Sequence, residues 1–371
     1  MWNKRLILVI SFIFSMFLSL NCVFANEEKI DSTTHETSNF KPGEFIIDHI
    51  LDDHEWHIAT LGETHISIPL PIIVYSYKQQ KWHFFLSSSF HHGHEPHNGL
   101  MLCKEGNFKG KIVEVDENNE IDGNAKLPLD LSITKNVVEL IIIALLLLLV
   151  FISTANYYKK NPNKAPKKIA SWVEPLILFV RDDIAKPSLG HKYTKFMPYL
   201  LTVFFFIFFS NLMGLIPIFP GGVNLTGNIA VTMVLALFTF FITTFSANKY
   251  YWLHIFNAPG VPWWLKIPLP LMPIIELIGV FTKPFVLMVR LFANITAGHI
   301  IALGFFSLIF IFGSMNVGLG YGISVLSVTF AVFMSLLELL VAFIQAYVFT
   351  LLSAIFFGMA VEEHHNHAET H

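Results

Sequence analysis

The chain has 371 residues, 54% of them hydrophobic and 14% charged, with 37 Phe and a mean hydropathy of +0.57. Soluble domains carry about 25% charged residues, so a purely water-soluble protein is excluded, and no basic patch with interleaved aromatics supports a nucleic-acid partner. The net charge of −3 hides a division: residues 26–130 hold 18 Asp/Glu against 8 Lys/Arg, whereas residues 196–358 hold six formal charges in all.

Residues 1–25 have the make-up of a secretory signal, with Lys4 and Arg5, an apolar run over 6–20, and Val23-Phe24-Ala25 before Asn26. An uncleaved anchor and lipid attachment at Cys22 are the alternatives, and all three leave residues 26–130 outside the cytoplasm. Cys22 and Cys103 are the two cysteines, which excludes a disulfide framework. Residues 26–130 form an acidic, His-rich extracytoplasmic segment. Its short β-like runs at 65–68 and 72–75 lie between Gly, Pro, Asn and Asp turns, as in a small β-rich domain or a partly disordered segment.

Ten of the 17 histidines lie between His35 and His97. Imidazole suits zinc, copper and nickel, but neither His54-Glu55-Trp56-His57 nor the run 91–97 has the spacing of a helical metalloprotease site. Solvated, pH-buffering histidines are expected, with no metal and no cofactor. Gly106 to Lys111 lacks the phosphate-cradling spacing, so no nucleotide is expected either.

Residues 140–158 are uncharged and long enough to cross a hydrocarbon core roughly 30 Å thick. Residues 156–195 then carry nine Lys/Arg against three acids, which marks a cytoplasmic loop. Within it, residues 169–184 read as an amphipathic helix along the membrane surface. Residues 196–219 run outward, Pro220-Gly221-Gly222 turns the chain, and residues 228–248 return. Residues 249–270 are aromatic and Pro-rich, too broken for a clean helix. Residues 271–312 and 321–358 each far exceed the roughly 20 residues of an upright span, so each is strongly tilted, bent or folded back. The expected fold is an all-α polytopic membrane protein of about five membrane segments, the last two long and strongly tilted. Its domains are a signal (1–25), the extracytoplasmic domain (26–130), the membrane domain (131–360) and a cytoplasmic tail (361–371).

Charge inside a membrane costs roughly 2.5–3.5 kcal/mol per residue at the helix centre, so each instance needs a reason. Lys249 and Lys266 sit near span ends, where snorkelling accounts for them. Glu276, Lys283 and Arg290 are spaced by seven. At ~100° per residue this spacing puts all three on nearly one helix face, and Asn294 joins the stripe. His299 falls on the opposite side, while Glu338 and Gln345 share a face of the last segment. A guanidinium stays charged, so Arg290 cannot relay a proton but can bind a carboxylate and drive its proton off. His299 and Glu338 are titratable and can carry protons to such a site. Ion translocation and a structural salt-bridge network, in which Glu276 or Glu338 neutralises Arg290, are the two readings these residues allow.

At Val289-Arg290-Leu291-Phe292-Ala293-Asn294-Ile295-Thr296-Ala297-Gly298-His299 the sequence resembles subunit a of the F-type ATP synthase. Three further runs agree in order and spacing: residues 211–217, residues 228–232 and Gln345-Ala346-Tyr347-Val348-Phe349. The resemblance covers roughly residues 130–360. It implies a stator subunit, not an enzyme on its own, that forms two proton half-channels beside a rotor ring. By this resemblance Arg290 faces the ring carboxylates, Asn294 and Gln345 lie near it, and His299 with Glu338 forms the titratable pair open to the outside. Some members carry that pair in the reverse order. Glu276 is expected to join the outer route, and Glu276 and Lys283 keep the family's distances from the arginine. The implied partners are rotor ring subunit c, peripheral stalk subunit b, the remaining synthase subunits and the bilayer. The implied place is a bacterial inner membrane, with the C-terminus in the cytoplasm. A stand-alone ion or solute transporter is the competing class.

Overall fold

The computed structural model describes residues 43, 46–47, 51–61, 64–93, 95–103, 108–116, 121, 125–162, 164–167, 169–216, 221–256 and 271–362. The expected signal segment, Lys266 and the tail histidines lie outside these residues. The chain forms two compact units. One comprises residues 1–142, 216–225 and 302–331, the other residues 143–215, 226–301 and 332–371.

In the first unit, strands β1 (Glu55–Leu61) and β2 (Thr64–Pro69) pair antiparallel. Strand β3 (Pro71–Ser76) is the centre of a three-stranded sheet, flanked by β4 (Lys81–Leu86) and β7 (Leu129–Asp130). Strands β5 (Leu100–Leu102) and β6 (Ile112–Glu114) form a further hairpin. The period-2 alternation of β3 buries Ile72 and Val74 against Phe90, Leu100, Leu102 and Ile112. Each such large apolar side chain contributes about 1.5–3 kcal/mol by leaving water. The turn after β3 uses Gln80 at φ 51, and β3 and β4 then pair in register from Ser76 opposite Lys81 to Pro71 opposite Leu86.

Helix α1 (Lys135–Lys160) starts in this unit. Asp52 serves its first turn, accepting the Asn136 N–H at 3.2 Å and the Thr134 hydroxyl at 2.8 Å. An acid there satisfies donors that the helix itself leaves unpaired and complements the positive end of its dipole.

The second unit is helical. Helix α2 (Ile169–Phe179) continues through a π-helical turn, Val180–Ala185, and one more turn, Lys186–Leu189, until Gly190 at φ 54 redirects the chain. Helices α3 (Tyr193–Leu215), α4 (Ile229–Ser246) and α5 (Lys249–Phe256) follow. The Asn228 side chain caps α4 by accepting the Ala230 N–H at 2.9 Å. The core centres on Phe204, Phe205 and Phe357, all fully buried, with Phe196 stacked on Phe357 at a centroid distance of 4.9 Å.

Helices α6 (Leu271–Met315) and α7 (Val317–Val361) are each 45 residues long. Both are unbroken, so the fold-back option is corrected. A second correction concerns residues 249–270. Their first eight residues form α5, because no proline interrupts them before Pro259. The backbone preceding α5 is also anchored: Asn248 donates its N–H to the Ala360 carbonyl at 2.8 Å and its side-chain amide to the Val361 carbonyl at 3.1 Å. Lys192 donates to the same Val361 carbonyl at 2.9 Å, so the negative end of α7 is closed by polar donors. Five stretches are long and apolar enough to cross a membrane: Lys135–Lys160, Ile169–Leu215, Ile229–Ser246, Pro273–Met315 and Gly318–Val361.

Candidate functional site

Helix α6 runs through Pro284 without a break, so the seven-residue spacing of Glu276, Lys283 and Arg290 does keep them on one face. Their surroundings differ. Glu276 is half-buried and acts electrostatically on Tyr251 of α5, whose phenol is pushed above its usual range first by burial and then by that charge. Half-buried Lys283 places its ammonium 5.7 Å from the centroid of the Phe356 ring. It also lines a small cavity with Thr239, Thr243, Tyr251 and Phe356.

Arg290 and Asn294 are exposed. Their neighbours on α6 are exposed apolar side chains: Phe285 is 59%, Val286 42% and Val289 38% accessible. Among the described residues Arg290 has no ion pair or hydrogen bond. The alternative of a structural salt-bridge with Glu276 or Glu338 therefore finds no support in this arrangement. A guanidinium on an oily face remains without a counter-charge.

Farther along α6, Gly298 meets Glu338 of α7. A Cβ built on Gly298 would stand 2.6 Å from Glu338 Oε1, so the missing side chain is what admits the carboxyl against the helix. That oxygen is buried and has no hydrogen-bond partner among the described residues. His299, the next residue, is half-buried. This close approach brings Glu338 of α7 onto α6 at Gly298, and the two helices are also joined by a turn. In that turn Asn316 receives the Gly318 N–H on its side chain at 2.8 Å and the Gly320 N–H on its carbonyl at 2.9 Å. Gly320 then packs against the Gly313 backbone and Phe305 stacks on Phe330 at 5.3 Å, fixing the register of the antiparallel helices.

Glu276 does not join His299 and Glu338. It lies on α6 some 23 residues before His299, about 35 Å of helix at ~1.5 Å per residue, farther than a hydrocarbon core is thick. Sharing a helix face fixed its direction and left its depth open.

A family model described as ATP synthase A chain matches residues 137–358, more than half of the chain. The chain belongs to this family. Its similarity to "ATP synthase subunit a" of Chloroherpeton thalassium is 47% identity over 255 residues, covering 65% of this chain and 72% of that protein. The protein of the same name in Chlorobium phaeobacteroides (strain BS1) is 44% identical over 300 residues, 75% of this chain and 85% of its own length. That of Myxococcus xanthus is 39% identical over 310 residues, 81% and 90% respectively. A second model, described as Domain of unknown function (DUF8433), matches residues 45–131.

Within this ATP synthase A chain family member, several motif residues turn out to build the scaffold around the site. Asn211 accepts the Thr226 hydroxyl at 2.6 Å and donates to the Ala342 carbonyl of α7 at 3.3 Å, all of it buried. Gln345, one step of seven after Glu338, is 6% exposed. Sequence reasoning also missed polar groups that carry no charge. Tyr199 of α3 is 2.8 Å from the Thr239 hydroxyl of α4, which is 3.3 Å from the Ser353 hydroxyl of α7. Three hydroxyls on three helices give no spacing signal in one dimension.

The histidines expected to be solvated divide. His91 is exposed, but His54 and His83 are buried, and His97 packs on the Phe85 ring at 4.9 Å. Burial works against a charge on His54, but its 2.8 Å bond to Asp130 and the nearby Asp53 and Asp52 charges outweigh that and raise its pKa. Burial works against ionised Asp130 too, and its bonds from His54 and the Ser132 N–H prevail and hold its pKa below the ordinary value. Among the described residues no group of three His, Cys, Asp or Glu side chains is gathered as a metal site would require.

Proposed function

We propose that this chain is the stator subunit of a rotary, proton-conducting ATP synthase sector, and that Arg290 governs proton exchange with the carboxylates of a rotor ring. The observation that carries this reading is the exposed, unpaired guanidinium on an apolar face of α6. A permanent cation in oil needs an acid, and a ring of acids passing that face supplies one after another.

Two proton routes are needed, one on each side of Arg290. Glu338 over Gly298, beside His299, serves the outer route; Glu276, expected there from the sequence but about 35 Å of helix from His299, is assigned here with Lys283 and Tyr251 to the cytoplasmic one. A proton from outside neutralises a ring carboxylate, which then enters lipid at little cost. After nearly a full turn that carboxyl meets Arg290, whose charge favours the anion, and the proton leaves toward the cytoplasm. One proton falling through 100 mV supplies about 2.3 kcal/mol, so several are needed for each ATP. The fixed charge between the routes also bars a direct proton leak.

The lengths of α6 and α7 support strongly tilted helices, since each would reach about 67 Å if straight, against a core of roughly 30 Å. With residues 51–130 outside, five crossings bring the C-terminus into the cytoplasm of a bacterial inner membrane. Subunit c of the ring and subunit b of the peripheral stalk are the proposed neighbours, and nucleotide is bound elsewhere in the complex.

Arg290→Ala should leave the complex assembled and abolish ATP-driven proton pumping in membrane vesicles. Arg290→Lys should do nearly the same, because a lysine can shed its charge. Pumping at the unsubstituted rate in Arg290→Ala would refute the role. A stand-alone transporter, by contrast, would move ions when this chain is reconstituted without ring subunits.

A further inference from the structure

We propose that Glu139, one turn into α1, is a further proton-binding group of this subunit: it takes a proton from the extracytoplasmic side and passes it inward during turnover. The inference rests on the reading of the chain as a proton-conducting stator. It adds a residue that the Arg290 site does not contain.

Glu139 is 0% exposed, and neither Oε1 nor Oε2 has a hydrogen-bond partner among the described residues. The other buried or half-buried acids of the same unit are treated differently. Asp52 accepts from Thr134 and Asn136, Asp130 bonds His54 and the Ser132 N–H, and one oxygen of Glu114 accepts from the Ser76 hydroxyl and the Lys78 N–H. Those acids hold the fold together. Glu139 holds nothing, and a carboxyl kept only for structure would leave two buried acceptors unsatisfied at a cost of about 1–3 kcal/mol each. The form of a carboxyl that tolerates such a place needs no counter-charge, and the form that has lost its proton does. Proton exchange is the chemistry those two requirements describe.

The position suits that exchange. The charge acting on Glu139 comes from Lys135, four residues earlier on the same helix face. Asn136, buried, and Asp52, at the helix start, extend polar groups from the β-domain to the first turn of α1. The unit that contains Glu139 also contains residues 216–225 and the 302–331 hairpin turn, all of which the proposed topology puts at the outer surface. In the step itself, a proton from the outer water forms an O–H bond on one Glu139 oxygen. Release breaks that bond, gives the proton to a water molecule on the inward side of the carboxyl and returns the carboxylate, with no change in electron count.

The test uses the assembled complex in membrane vesicles and two readouts, ATP-driven proton pumping and the infrared difference spectrum of protonated carboxyls. Glu139→Gln, nearly isosteric and unable to titrate, should slow pumping about tenfold and remove one carboxyl band. Arg290→Ala is run alongside. If Arg290→Ala is silent while Glu139→Gln pumps normally, the stator reading has failed. If Glu139→Gln keeps both full pumping and an unchanged spectrum beside the expected Arg290→Ala loss, the Glu139 proposal alone is overturned. Should the Gln variant not assemble, Glu139→Asp takes its place: pumping with a displaced carboxyl band supports the proposal, and an undisplaced band overturns it.

Discussion

The β-domain and the membrane helices differ in how they complete their charges. In the domain, His54 is matched by Asp130, and Glu114 receives the Ser76 hydroxyl and the Lys78 N–H on one oxygen while its other oxygen is bare among the described residues. In the helices, Arg290 has no counter-charge, one oxygen of Glu338 has no partner, and both oxygens of Glu139 are bare, all among the described residues. A matched charge is part of a fold and is silent in function. An unmatched charge in an apolar place costs several kcal/mol, and that cost is offset only when something outside the chain, a proton or another polypeptide, completes it.

The comparison can be broken most sharply by giving Arg290 what His54 already has. Val286, exposed and one turn before Arg290, is placed for an intrahelical pair, and Val286→Glu should satisfy the guanidinium within its own chain. Pumping should fall at least on the order of a hundredfold while Arg290 stays in place, because the ring carboxylate meets a neutralised site. Unchanged pumping in Val286→Glu would show that the exposed cation has no such task.

A smaller loss is expected from Gly298→Ala. The added Cβ would collide with Glu338 Oε1 and push the carboxyl off α6. Pumping should drop about tenfold with the complex intact, and Gly298→Ala paired with Glu338→Asp, which shortens the acid, should recover part of it.

The reverse operation removes a partner from the domain. His54→Leu leaves Asp130 without its main donor, at a cost of about 1–3 kcal/mol, moderated because Asp130 remains 31% exposed. Amide hydrogen exchange across β3 and β7 should quicken accordingly, while proton pumping should be untouched. A pumping defect there would mean that the domain is not a bystander to transport.

The smallest effect is a pH dependence of the same clasp. His54, with its pKa raised, stabilises fully below its ordinary 6.5 and loses the contribution as the pH rises through the raised value. Asp130, with its pKa depressed, stabilises above its ordinary 3.8 and loses the contribution as the pH falls through the depressed value. Protection at β7, taken relative to the intrinsic exchange rate at each pH, should therefore be greatest between those two ordinary values, and a maximum in the alkaline range would contradict the pairing.

Much of this contrast was legible in the chain before any fold. The length of the last two apolar stretches, the lone Arg290 and the runs that became β2 and β3 all follow from composition and period. Environment was not legible: Glu276 shares a face with Arg290 yet is half-buried, whereas Arg290 is exposed. Juxtaposition was not legible either, because Glu338 meets Gly298 of another helix, which spacing along one helix does not encode. Glu139 escaped for a simpler reason. A search for an uncharged span starts at Leu140, whereas the helix starts at Lys135 and takes the acid inside. His54 read as one solvated imidazole among ten, since its partner Asp130 arrives from the far end of the domain.

What stands opposite Arg290 separates a rotary stator from any other membrane protein. A density map of the intact complex, resolved well enough to place side chains on the outer face of α6, tests it directly. The expected result is a carboxylate of a different polypeptide within about 4 Å of the guanidinium, or one water away. Lipid against that face, or Arg290 tied to an acid of its own chain, would contradict it.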